Sequence, residues 1–493
     1  MEIRYDVLRE PWIPVTDQNG DKEFLGILDV LARAHELKEI TDASPLVEYG
    51  LYRLLCVFLM DALRPGDTED IEELLEDGEF DMDRIEAYVE RCRESGASFD
   101  LFDEKRPFLQ SPYVPEWDKE KKSIGYLDQA IPAGSNHTHF EHLNSDTMLS
   151  YGEAARLLPT CYLFPLQIGS GYHLSINGEA PFFTLVKGEN LFQTLVYTLV
   201  PTENIDDFDS VPSFWNNKDI VERGKGLNKV SWLYGMLFPV RRVKLIPEKN
   251  GIRYIYFSPG VYLKNMDNWM DPHVTYIVNE KGRFAICPKK QVPIWENLNY
   301  LISVKGKCAP ENIRTFSDMC DGSVLIAHID LYGVYTKKKR QYSDLFCYDL
   351  ELSTSMMNEE TAEIIGLCIK DAETLGRKLG KALDFDAKKD KPSHGVALRM
   401  SEAAVNDFYF GCERYLMNMC HEDWSFKKKE PDAVLREWKL TLYKLGREVV
   451  EAAFSRVDLT GKQWVEVYEK QVELEDYLNK LKRKGENKGG KKQ

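Results

Sequence analysis

Three stretches of the chain combine residue types and spacings that could do chemistry. The first, Ser135-Asn136-His137-Thr138-His139-Phe140-Glu141-His142, gathers three of the nine histidines into six residues. His137, His139 and His142 could hold a zinc ion and leave a fourth position for an activated water, as in a metal-dependent hydrolase. The spacing is not the HExxH of a helical zinc site, and it fixes no carboxylate base. Asn136, His139 and Phe140 could instead hydrogen-bond to unpaired RNA bases and stack on them. A polar loop that binds nothing has the same composition.

The second stretch is Gln167-Ile168-Gly169-Ser170-Gly171-Tyr172. Two glycines one residue apart let the backbone turn sharply and approach another surface closely. A DNA minor groove admits a loop best where no Cβ intrudes; an ordinary glycine-rich turn is the plain alternative. The third is Tyr335-Thr336-Lys337-Lys338-Lys339-Arg340-Gln341-Tyr342, four consecutive cations between two strand-like runs. A β-hairpin with such a tip suits phosphate contact, and a long side chain there could wedge into a duplex. A solvated tip that discourages edge pairing is the competing reading. Arg241-Arg242, Lys264 and Lys289-Lys290 are isolated basic spots, and charge runs are generally solvated faces.

These residues need elements to position them. Residues 1–355 mix helix and strand signals and predict one large α/β domain. Leu46 to Leu63 is apolar enough for a buried helix, and Asp70 to Arg93 has an acidic helical pattern. Residues 182–186, 242–246, 254–257 and 274–278 alternate as strands between Gly, Pro, Asn and Asp. From Asn358 the period changes. Asn358 suits an N-cap, and Ile365, Ile369, Ala372, Leu375, Leu379 and Leu383 follow at helical spacing. Further helices are predicted near 395–420, from Pro431, and near 463–481. Four amphipathic helices with short connections predict an antiparallel four-helix bundle over 358–482. Residues 483–493 are basic and of low complexity, and disorder is expected there. The fold class is α+β.

Composition narrows the choices. The 493 residues carry 64 Lys and Arg against 80 Asp and Glu, a formal charge of −16. That balance disfavours a free-standing DNA-binding protein but allows local basic loops acting inside a larger assembly. The ten cysteines form no CxxC pair, so neither a zinc ribbon nor a redox motif is expected. No signal peptide and no membrane-spanning run are recognisable, which points to the cytoplasm. Nothing resembles a P-loop, a GxSxG elbow or a kinase set. No general acid and base can be nominated.

Two further segments carry a resemblance. Tyr5-Asp-Val-Leu-Arg-Glu10-Pro11-Trp12-Ile13-Pro14-Val15 is similar to the FxLLxEPWIPV opening of the CasA-type large subunit of type I-E CRISPR Cascade, and Phe99-Asp-Leu-Phe-Asp-Glu-Lys-Arg-Pro-Phe-Leu-Gln110 to its FDLFxxxRPFxQ segment. Thr184-Leu-Val-Lys-Gly-Glu-Asn-Leu191 resembles the LVRGxxL element, and Ser401-Glu402 with Phe408-Tyr409 a motif of the C-terminal bundle. The resemblance implies a non-catalytic subunit without cofactor or metal. It implies recognition of the protospacer-adjacent motif in target double-stranded DNA from the minor groove, help in strand separation, and recruitment of a helicase–nuclease. The guide RNA reads the rest of the target by base pairing, a division also used by Cas9-type effectors.

Carried over by position, the family's glycine loop is Gly169, Ser170 and Gly171. Its wedge hairpin is 335–342, with Lys339 at the position of the family's glutamine and Gln341 two residues on; Lys337, Lys338 and Arg340 flank them. Lys264, shortly before Trp269, is the candidate lysine finger. Asn136, His139 and Phe140 match the segment that contacts the CRISPR RNA handle and the neighbouring subunit. Some relatives have a cysteine zinc site after the segment matching Lys244; Pro247 to Ile252 has no cysteine, so none is expected here. Trp12, between two prolines, reads as a structural anchor or part of a subunit contact rather than a DNA reader.

Overall fold

The computed structural model describes residues 3–113, 119–128, 147–219, 221–265, 268–280, 282–289, 294–305, 308–320, 322–383, 394–421, 430–455 and 461–486. The chain divides into two compact units. One comprises Met1–Lys290, Lys307–Asp321 and Ala327–Leu350; the other comprises Gln291–Gly306, Gly322–Ile326 and Glu351–Gln493.

In the first unit, strand β1 (Ile13–Asp17) pairs antiparallel with β2 (Lys22–Leu25) and β3 (Leu37–Ile40), with helix α1 (Ile27–Ala32) between the latter two. Trp12 is completely buried, and its Nε1 donates to the Val7 carbonyl at 2.8 Å. It is the anchor its flanking prolines suggest. Helix α2 (Pro45–Leu63) starts on proline, whose missing N–H costs nothing there. All of its residues except Pro45 and Glu48 are buried, which is why its sequence shows an apolar run and no stripe. The acidic stretch after it forms two helices. Gly78, at φ +76°, ends α3 (Thr68–Asp77), and the Asp81 carboxylate caps α4 (Met82–Glu94). Helix α5 (Tyr151–Leu163) opens on a capping box of Ser150 and Glu153.

Strand β4 (Lys121–Ser123) joins β7 (Arg241–Glu248) and β8 (Gly251–Pro259) in the order β4-β8-β7. Strand β5 (Phe183–Lys187) edges a sheet in the order β13-β12-β5, in which β12 (Ile326–Lys337) and β13 (Gln341–Ser353) form the long hairpin. Strand β6 (Gly226–Leu227) pairs parallel with β9 (Tyr262–Leu263), and β10 (Tyr276–Asn279) pairs with β11 (Gly282–Ala285). Short helices α6 (Leu191–Val196), α7 (Trp232–Met236) and α9 (Glu311–Met319) complete the unit.

At its centre lies a buried polar chain. Arg53, fully enclosed in α2, donates from Nη2 to Asp271 Oδ1 at 2.6 Å and to the Tyr49 hydroxyl at 2.8 Å. The Tyr49 hydroxyl meets His273 Nδ1, and His273 Nε2 meets the Thr198 carbonyl, each at 3.0 Å. A carbonyl only accepts, so Nε2 carries the proton and Nδ1 accepts from Tyr49. Burial, helped by the Arg53 charge, pushes the His273 pKa down to about 3, so the ring is neutral.

In the second unit, the Asn358 side chain accepts from the Thr361 N–H at 2.9 Å and caps α10 (Glu359–Leu383). The predicted stripe Ile365, Ile369, Ala372, Leu375, Leu379 and Leu383 is buried. Helix α10 packs against α11 (His394–Cys420), α12 (Pro431–Ser455) and α13 (Gly461–Glu486). Trp438 of α12 donates its indole N–H to the Cys368 carbonyl of α10 at 2.9 Å. Helix α13 continues to Glu486, past the point where disorder is expected from composition; Arg483 and Lys484 sit in its last turn, where cations suit the helix dipole. The short helix α8 (Leu298–Leu301) also packs against α10, and Ser303 donates to the Glu359 carboxylate at 2.9 Å.

Candidate nucleic-acid interface

The connection between β12 and β13 is a tight turn over Lys337, Lys338, Lys339 and Arg340. The Arg340 N–H donates to the Lys337 carbonyl at 3.2 Å, and the two central residues have positive φ, Lys338 at 52° and Lys339 at 61°. This is the pattern of a type I′ turn, which normally selects Asn-Gly. Placing an ordinary L-residue in the left-handed region costs roughly 1–2 kcal/mol each. The chain thus keeps two lysines where glycine or asparagine would be easier. All four cations are exposed. Lys339 Nζ lies 4.0 Å from Glu179 Oε1, and Lys337, Lys338 and Arg340 make no ion pair among the described residues. Gln341 is half-buried as the first residue of β13, so Lys339 rather than Gln341 stands at the turn itself.

Gly169, Ser170 and Gly171 lie in the exposed segment that follows α5. Gly171 sits at φ +79°, which glycine adopts without strain. Gly169 is different. Among the described residues a Cβ there would meet only the Tyr172 ring, at 3.4 Å, so none of them requires glycine. Tyr172 pins the loop to β8: its ring stacks on Phe257 at 6.0 Å, and its hydroxyl donates to the Phe257 carbonyl at 3.3 Å.

The loop and the hairpin are bonded to each other. The Gln167 N–H donates to the Lys339 carbonyl at 2.8 Å, and the Tyr342 hydroxyl donates to the Phe164 carbonyl. Lys264 joins the same neighbourhood by a different route. The His173 ring, at the end of the glycine loop, stacks on Tyr262 at 4.0 Å, and the Tyr262 and Lys264 side chains both run over Gly226, where a Cβ would meet them at 2.7 and 2.8 Å. The Lys264 N–H donates to the Leu227 carbonyl at 2.9 Å, and its side chain is exposed. Nearby Arg223, Lys225 and Lys229 are paired with Glu120, Glu222 and Asp207 at 2.9, 2.5 and 2.7 Å.

Asn136, His137, His139, Phe140 and His142 lie outside the described residues. Among the described residues no three or more His, Cys, Asp or Glu side chains are grouped to hold a metal ion. The segment after Lys244 is a tight turn in which Glu248 pairs with Gly251 across Lys249 and Asn250.

One of the isolated basic spots is not the solvated face that its charge suggests. Arg241, the first residue of β7, is completely buried. Its Nη1 donates to the carbonyls of His173 at 2.7 Å and Val240 at 2.9 Å, and its Nη2 to that of Leu166 at 2.6 Å. The guanidinium lies 5.2 Å from the Tyr172 ring centroid. An arginine within an apolar strand start, Val240-Arg241-Arg242-Val243, is the only trace of this in the sequence.

The family profile described as CRISPR-associated protein Cse1 matches residues 6–449, and the chain belongs to that family. The protein named CRISPR-associated protein CasA/Cse1 of Thermus thermophilus is 30% identical over 322 residues, 62% of this chain; the match spans 61% of that relative's length. The crystal structure of a CRISPR-associated protein from Thermus thermophilus superposes with TM-score 0.77 at 22% identity, covering 97% of this chain and 100% of the other. A chain of a CRISPR RNA-guided surveillance complex superposes with TM-score 0.72 at 18% identity, covering 97% and 99%. At these identities the superpositions concern the fold. No helix among the described residues is long and apolar enough to cross a membrane.

Proposed function

We propose that this chain is the non-catalytic large subunit of a type I-E Cascade, acting in the cytoplasm in antiviral defence. Its substrate is target double-stranded DNA, in which it recognises the protospacer-adjacent motif. Gly169, Ser170 and Gly171 enter the minor groove. Lys337, Lys338, Lys339 and Arg340 meet phosphates beside it, and the hairpin tip, with Gln341 behind it, starts strand separation. Lys264 is a further cation on the duplex. Asn136, His139 and Phe140 contact the CRISPR RNA handle and a neighbouring subunit. The C-terminal helices act as an antiparallel four-helix bundle, and the assembled complex recruits a helicase–nuclease.

The observation that carries this reading is the bond between Gln167 and Lys339. It makes the groove-entering loop and the phosphate-contacting tip one surface, so recognition and strand opening would occur at adjacent base steps. The minor-groove pattern is degenerate, which allows more than one motif to be accepted.

The test uses the complex reconstituted with its CRISPR RNA and partner subunits. Gly169→Phe should leave assembly intact and abolish binding to a motif-bearing duplex. Wild-type duplex binding by that variant would overturn the assignment. Crosslinking of the hairpin to the same duplex separates this function from a purely structural scaffold, which would give none.

A further inference from the structure

Arg241 presents an energetic puzzle. Among the described residues no carboxylate pairs with it, and its Nε has no hydrogen-bond partner. A buried unpaired cation is strongly penalised, and an apolar residue of similar size would ordinarily be easier to accommodate. Burial lowers its pKa to about 10, so it keeps its charge at neutral pH. What this costly group does is specific. Two of its three acceptors, Leu166 and His173, are the two stems of a single exposed loop, the one that displays Gly169, Ser170 and Gly171. The third is the carbonyl of the preceding residue.

We propose that Arg241 is a positioning residue that clamps both stems of the 166–173 loop, so that its glycines are held in a groove-entering shape. The inference rests on the reading of that loop as a DNA contact. The clamp reaches the hairpin as well. Next to the Leu166 stem, the Phe164 carbonyl accepts from Tyr342, and the following Gln167 N–H is bonded to Lys339. Arg241 therefore underlies the join between the two elements. Its charge also adds a positive field beneath the loop, in a low-dielectric setting where it is poorly screened. The planar guanidinium gives each stem carbonyl its own nitrogen in a fixed fork; a lysine ammonium would have to serve both from a single nitrogen at the end of a flexible stem.

The experiment compares Arg241→Lys, Tyr342→Phe and Gly169→Phe in the reconstituted complex. The probes are a duplex bearing the motif that the wild-type complex selects from a randomised library, the same duplex with the motif scrambled, and single-stranded target DNA. Arg241→Lys should weaken motif-duplex binding by about tenfold, the loss expected for one charged hydrogen bond, and leave single-stranded target binding unchanged. Tyr342→Phe should lower the preference for motif over scrambled duplex in the same direction, by a smaller factor. If Gly169→Phe binds the motif duplex normally, the reading of the loop itself fails. If Gly169→Phe loses binding while Arg241→Lys keeps wild-type motif preference, the loop reading stands and the clamp is overturned. Equal losses on single-stranded target, or failure of both Arg241→Lys and Tyr342→Phe to assemble, would make Arg241 a general folding element and overturn it too.

Discussion

The Gln167 N–H donates to the Lys339 carbonyl at 2.8 Å, joining residues that are far apart in sequence at one exposed surface. Each partner lies in a segment whose composition suggests DNA contact, and the bond makes them a single element. A protein that must recognise a short motif and then open the next base step gains from such a join, because the two operations are then fixed relative to each other.

Gly169 and Gly171 should respond differently to alanine. A Cβ at Gly169 finds ordinary contact distance, so Gly169→Ala should change folding stability by less than about 0.5 kcal/mol. Gly171 has positive φ, so Gly171→Ala should cost roughly 1–2 kcal/mol. Thermal melting of the isolated subunit checks both values. A marked Tm loss for Gly169→Ala would show that the fold, not a ligand, requires glycine there.

The strained turn allows a stability gain at the expense of binding. Replacing Lys338 and Lys339 with Asn and Gly supplies the residues a type I′ turn prefers, and should stabilise the subunit by about 1–3 kcal/mol. Two fewer phosphate contacts should reduce the salt slope of duplex binding by about 2. Titrations at several salt concentrations measure the slope. A slope equal to wild type would remove the tip from the DNA interface.

His273 should set part of the acid limb of stability. Its folded pKa of about 3 lies below the usual 6.5, so between those values the unfolded chain binds the proton that the folded one refuses. Stability from this group is complete above about pH 6.5 and falls by about 1.4 kcal/mol for each pH unit below it. His273→Gln can still accept from Tyr49 and donate to Thr198, and it does not titrate. The Tm difference between wild type and variant should therefore shrink as pH falls from 7 to 4. A difference independent of pH would mean the ring is not held neutral.

Arg53 and Asp271 should show strong coupling. Arg53→Met strands a buried carboxylate and should cost about 3–5 kcal/mol, whereas Arg53→Met with Asp271→Asn should cost less than the two single losses combined. Denaturant unfolding of the four proteins gives the coupling energy, and simple additivity would refute it.

Much of the local structure was legible because it depends on neighbours in sequence. Pro431 opens a helix, Asn358 caps one, and the stripe from Ile365 to Leu383 faces inward, since period and capping are local properties. Gly78 was the signal for splitting the acidic stretch in two, and composition hid it. The residues 298–303 that pack with the C-terminal helices come from a distant part of the chain, where no period marks them.

The sequence by itself determined the α/β character, the family, the helical C-terminal part, and the glycine and lysine segments, because each is written in residue type and short-range spacing. Only the tertiary structure decided which of these segments meet. It bonds Gln167 to Lys339, stacks His173 at the end of the glycine loop on Tyr262, two residues before Lys264, and seats Arg241 under both stems. Those contacts depend on where a strand from one part of the chain is laid against a loop from another. That is settled by the burial of a core shared by remote residues, and local propensity carries no information about it.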